Sequence, residues 1–71
     1  MLQEVTLREI ERIFEITDAL GFHRESLVIP LRPRQPGRLR RMPGGKIEIT
    51  VGADFDAWLG GLADELKRLG P

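Results

Sequence analysis

The chain has 71 residues, with 11 basic and 11 acidic side chains and no cysteine, which leaves room for one small domain. A domain of this size buries only ~60 % of the surface its unfolded chain exposes, so its core is thin. Without cysteine there is no disulfide stapling, and a lone histidine excludes zinc sites of the finger or ribbon type.

The longest purely aliphatic run, Leu27-Val28-Ile29, is far short of the ~20 residues a membrane helix needs. Met1 is followed by an acidic, amphipathic stretch rather than a basic and then apolar one, so no secretory signal and no membrane partner are expected, and the cytoplasm is. There is no asparagine, only two glutamines, and nine arginines stand against two lysines. Depletion of heat-labile amides is a habit of thermophile proteins, and a thermophilic bacterial source is the expectation.

The first element is a helix. Thr6-Leu7-Arg8-Glu9 has the capping-box pattern, in which the threonine hydroxyl and the glutamate satisfy free donors at a helix start. The alternative is a helix running from Gln3, with Thr6 inside it. Leu7, Ile10, Ile13, Phe14, Thr17 and Leu20 recur at three- and four-residue spacing and make one apolar stripe. Glu4–Arg8, Arg8–Glu11 and Arg12–Glu15 are spaced to pair on the solvent side. Gly21 is a stop in left-handed conformation, with Phe22 placed to pack back on the last turn.

Leu27–Leu31 reads as a short edge strand, or one that ends at Ile29, because Pro30 cannot donate to an inner ladder. Arg32-Pro33-Arg34-Gln35-Pro36-Gly37 reads as a stiff, extended, exposed connection. Arg38–Met42 and Lys46–Val51, joined by Pro43-Gly44-Gly45, form a hairpin pattern. A three-residue loop sets Leu39 opposite Ile49 and Arg40 opposite Glu48, giving an apolar pair inside and an ion pair outside. A two- or four-residue loop would set Arg40 against Ile49, a worse match.

The last element is a second helix. Asp54 serves as N-cap, or Gly52-Ala53 leads in, and Asp56 suits the positive helix end. Phe55, Trp58, Leu59, Leu62, Leu66 and Leu69 form a stripe suited to packing on a sheet. Gly60-Gly61 costs ~1 kcal/mol per glycine relative to alanine, and close packing against another element is the expected reason, a partner surface the other. Lys67 and Arg68 complement the negative end, and Gly70-Pro71 stops the chain. The expected fold is a small two-layer α+β domain, helix–strand–β-hairpin–helix, with both helices on one face of a three-stranded sheet.

Chemistry-bearing constellations are few. Ser26 and His23 lie three residues apart with no third, orienting member, so His23 is expected to be a solvent-exposed residue after a helix end. Pro43-Gly44-Gly45-Lys46 lacks the phosphate-loop pattern and precedes a strand. Leu62-Ala63-Asp64-Glu65-Leu66-Lys67-Arg68-Leu69 resembles the metal-binding helix of minimal zinc metallopeptidase cores, of the type that cleaves phage-like repressors and radiation-response regulators. There the stretch is leucine-alanine-histidine-glutamate-leucine-x-histidine-leucine. Residues 37–69 also resemble short bacterial proteins of uncharacterised function that carry a glycine-arginine-leucine-arginine strand, here Gly37-Arg38-Leu39-Arg40, and a leucine-rich closing helix. Only Glu65 matches the catalytic motif. The ligand positions hold Asp64 and Arg68, and arginine does not ligate zinc because it stays protonated. The resemblance therefore implies a peptidase-like shape without peptidase chemistry, metal or cofactor, with Asp64 and Arg68 paired on the exposed face.

The neutral total hides three blocks. Residues 1–31 carry a net −3, residues 32–46 a net +6 with no acid, and residues 47–71 a net −3. Arg32, Arg34, Arg38, Arg40, Arg41 and Lys46 thus form a candidate anion- or nucleic-acid-binding strip. No aromatic residue interleaves with them, which argues against base stacking. The first expectation is a non-catalytic domain acting by self-association, as a homodimer whose charge blocks complement each other, or by protein interaction. Sequence-independent nucleic-acid binding through the strip is the alternative, and a degenerate relative of the zinc peptidases a further one.

Overall fold

A computed structural model describes residues 4–70 and has the expected α+β architecture. Helix α1 spans Leu7–Ala19, strands β1, β2 and β3 span Leu27–Val28, Arg38–Arg41 and Ile47–Thr50, and helix α2 spans Phe55–Leu69. The sheet order is β1-β3-β2, with β1 parallel and β2 antiparallel to the central β3.

Helix α1 starts where its capping box places it. Thr6 is extended; its backbone N–H donates to Glu9 Oε1 at 2.8 Å, and Glu9 N–H donates to Thr6 Oγ1 at 3.2 Å. Thr6 is therefore a cap and not an interior residue; Gln3 itself lies outside the described residues. Leu7 does not join the apolar stripe. It occupies the first helical position and is 72 % exposed, while Val5, just before the cap, is buried in its stead and donates its N–H to Leu31 O at 2.7 Å. The helix ends in a Schellman motif: Gly21 takes φ +86°, Phe22 N–H reaches Thr17 O at 2.9 Å, Gly21 N–H reaches Asp18 O at 3.1 Å, and Phe22 is buried.

The ion pairs expected along α1 do not form; the pairs among the described residues are Arg24–Asp18 at 2.7 Å and Arg40–Glu48 at 3.3 Å. Glu4 precedes the helix, and holding two long exposed side chains in one geometry gains little in water. Arg24, in a single 3₁₀ turn over Arg24–Ser26, also lies 4.5 Å over the Phe14 ring, so it ties that turn to the end of α1. Its hydrogen bonds hold the Asp18 carboxyl below its ordinary value, against a weaker opposing effect of desolvation. A depressed carboxylate pKa stabilises the fold above the unfolded value, ~3.9, and that contribution is lost as pH falls through the folded value. Urea titrations at decreasing pH should show the deficit of Arg24→Ala relative to wild type shrinking below about pH 4, leaving only the part due to Phe14. A deficit that grows on acidification would contradict this.

The hairpin has the three-residue loop. Leu39 faces Ile49 and Arg40 faces Glu48; Met42 N–H donates to Lys46 O at 2.6 Å and Gly45 N–H to Met42 O at 3.2 Å. Gly44 and Gly45 take φ +91° and +88°, which only glycine does without strain. Strand β1 is shorter than expected, two residues, and an isolated parallel bridge joins Arg34 to Gly52, just beyond the end of β3. The 32–37 connection is thus bent and held in part by the sheet. It passes the end of β3 and enters β2 from the far side.

Ile47 and Ile49 of β3, with Val51 just past its end, join one core with Ile13 of α1 and Leu59, Leu62 and Leu66 of α2. Both helices therefore cover the same sheet face. Asp54 caps α2 by accepting from Ala57 N–H at 3.4 Å, and Gly70 closes it at φ +80°; Pro71 lies outside the described residues. The close-packing expectation for Gly60-Gly61 is overturned, since a Cβ at either would meet open space. The close approach occurs at Gly37 and Gly52, onto which the Trp58 side chain packs.

Candidate functional site, an arginine-lined groove on the open sheet face

Strand alternation sorts the basic segment. In β2, Leu39 lies on the core face, so Arg38 and Arg40 rise from the opposite, open face. The connection from β1 rims that face. Together they enclose an open groove of about 870 Å³ lined by Arg32, Arg34, Arg38 and Arg40, with Glu4, Leu31, Glu48 and Thr50 among its other walls. All four arginines are exposed.

Two of the six predicted basic residues go elsewhere. Arg41 shares parity with Leu39 and therefore reaches the helix layer, where its Nη2 donates to Leu69 O at 3.0 Å and Gly70 O at 3.1 Å. A guanidinium at the last carbonyls of a helix satisfies orphan acceptors and complements the negative dipole end. Lys46 is exposed in front of β3 and does not line the groove. Alternation was visible in the sequence and would have separated Arg41 from Arg38 and Arg40. The rim residues Arg32 and Arg34 were not placeable, because the parallel pairing of β1 and the Arg34–Gly52 bridge have no local signature.

The electrostatics follow from who is paired. Glu48 is the half-buried partner of Arg40, through Nε, and the terminal nitrogens of Arg40 make no hydrogen bond among the described residues. Arg32, Arg34 and Arg38 have no ion pair or side-chain hydrogen bond among the described residues. Four guanidiniums against Glu4 and Glu48 leave the groove with two excess positive charges. Such a surface suits carboxylates or phosphates, because the planar guanidinium offers paired donors.

The degenerate motif helix offers a different picture. Asp64, Glu65 and Arg68 are all exposed on α2, and the expected Asp64–Arg68 ion pair is not formed. Among the described residues no three histidine, aspartate or glutamate side chains converge as a metal site needs. His23 is exposed, as the sequence suggests, and Ser26 N–H bonds to its carbonyl rather than to its ring. No described helix is long and apolar enough to cross a membrane. Comparisons with protein-family models, curated proteins and solved structures gave no match.

Proposed function

We propose that this is a non-catalytic, cytoplasmic interaction domain that takes up an acidic partner on its open sheet face. The observation that carries it is the gathering of Arg32, Arg34, Arg38 and Arg40 around one groove with a surplus of positive charge. The peptidase-like reading is less favoured, since arginine stands at a ligand position of the helix that resembles a metal-binding one.

A second copy of the chain is the other partner the charge blocks suggest. The geometry gives it less support. Asp56, Asp64 and Glu65 lie on α2, in the helix layer, and the groove lies on the opposite side of the sheet. A closed pair cannot bring both faces of each copy into contact at once; copies would have to stack head to tail. Two grooves brought together would oppose like charges. Light scattering at tens of micromolar is accordingly expected to give a monomer.

The test is titration with a labelled acidic peptide at 50 and 200 mM salt, using wild type and Arg38→Ala/Arg40→Ala. Micromolar binding that weakens with salt and drops about tenfold in the variant is expected, since exposed charge contacts are screened and each factor of ten is ~1.4 kcal/mol. Binding unchanged in the variant would sink the assignment of the face.

A further inference from the structure

We infer that the acidic partner is an extended peptide of alternating acidic and apolar residues, added to the sheet as a fourth strand along β2 beside the groove, with its open-face side chains on Arg38 and Arg40. The inference rests on the reading of the open face given above.

Among the described residues strand β2 is an edge: nothing follows it in the sheet order β1-β3-β2. Which of its backbone groups are free follows from the register. Met42 donates to Lys46 across the loop, so the 42–46 pair is hydrogen-bonded. In an antiparallel ladder such pairs alternate, so Arg40 and Arg38 bond toward β3 while Leu39 and Arg41 turn their N–H and C=O groups outward. The other edge is not comparable. Strand β1 is only two residues long, and the chain just beyond it is covered by the Val5–Leu31 hydrogen bond and the Arg34–Gly52 bridge.

The side chains choose the guest. Arg38 and Arg40 stand two residues apart on the open face, a spacing of roughly 6.8 Å, which matches alternate side chains of a neighbouring strand. Acidic residues at those positions would meet both arginines, while the intervening residues would flank Leu39 on the core side. A second copy of β2 in the same place would set arginine beside arginine, which natural edges use to prevent self-pairing. A nucleic-acid strand fits less well. Among the described residues the groove has no aromatic wall, Phe55 and Trp58 pairing with each other at 5.9 Å on α2, and Glu4 and Glu48 line it. Main-chain addition supplies affinity without bases to stack.

The experiment uses a short peptide of alternating glutamate and valine, and a single-stranded oligonucleotide of equal charge as the rival. Amide exchange by NMR is expected to show Leu39 and Arg41 gaining protection in the peptide complex, with Arg38 and Arg40, already bonded to β3, unchanged. N-methylation of the peptide residues that face β2 should weaken binding about tenfold per lost bond, and methylation of the alternate set should not. Arg38→Glu/Arg40→Glu should abolish binding while leaving the circular dichroism intact. Peptide binding without protection of Leu39 and Arg41, or tighter binding of the oligonucleotide, would overturn the strand-addition inference and leave the open face as the site. No binding of either probe at low salt would overturn both.

Discussion

Replacing Ile49 by alanine should cost about 2–5 kcal/mol, the range for deleting a buried branched side chain and leaving a cavity. The whole stability of a domain this size is roughly 4–10 kcal/mol, so the variant is expected to lose about half of it. Ile49 is 0 % exposed, lies on β3, which has a strand on each side, and points into the core that α1 and α2 share. Neither helix can follow it inward without leaving its other contacts. Urea denaturation followed by Trp58 fluorescence is the measurement. A lower midpoint with an unchanged slope is expected, and Ile49→Val should cost only about 0.5–1.5 kcal/mol. A loss below ~1 kcal/mol for the alanine variant would mean that β3 does not centre the core.

Glycine-to-alanine substitutions are expected to divide by sign. A Cβ on Gly52 would lie 2.7 Å from Trp58 Cβ and 2.8 Å from its Cγ, and one on Gly37 would lie 2.6 Å from the Gly52 nitrogen. Either should destabilise by about 1–3 kcal/mol or more, because the atoms met are backbone or sit next to it. Trp58→Ala should relieve Gly52→Ala only in part, since the Trp58 Cβ contact survives, and should not relieve the backbone clash at Gly37. Gly60→Ala and Gly61→Ala, exposed inside α2 with nothing near, should each stabilise by roughly 0.5–1 kcal/mol through helix propensity and the unfolded chain. Thermal melts of the four single variants and the Trp58 double variants check the pattern. Destabilisation at Gly60 or Gly61 would show a packing role that the fold does not contain.

Those glycines show where sequence reasoning stops. Local signals carried far: the Thr6–Glu9 box, the Gly21–Phe22 stop and the Leu39–Ile49 register each follow from a few adjacent residues, and each is present. What depends on chain crossings was hidden. Gly37 and Gly52 are 15 positions apart and meet only because the connection passes the end of β3. Leu7 matched the helical stripe by spacing, but a residue at the first helical position points off the end of the packed face. For the candidate site, the excess of arginine was plain, and alternation along the Arg38–Met42 arm already separates Arg41 from Arg38 and Arg40. What stayed hidden was the placing of Arg32 and Arg34, which depends on the parallel β1–β3 pairing and the Arg34–Gly52 bridge.

The position of Arg41 has a consequence for how the molecule opens. Its two hydrogen bonds span 28 and 29 residues and tie the first arm of the hairpin to the final turn of α2. Helix ends ordinarily fray on their own, in the least protected fluctuations of a protein. Here fraying of Leu69 and Gly70 also releases a charged side chain from β2, and loosening β2 withdraws the donor from those carbonyls. The last turn of α2 and the edge strand are thus coupled through one side chain, so Arg41→Ala should speed amide exchange at Leu69 and Gly70 as well as in β2.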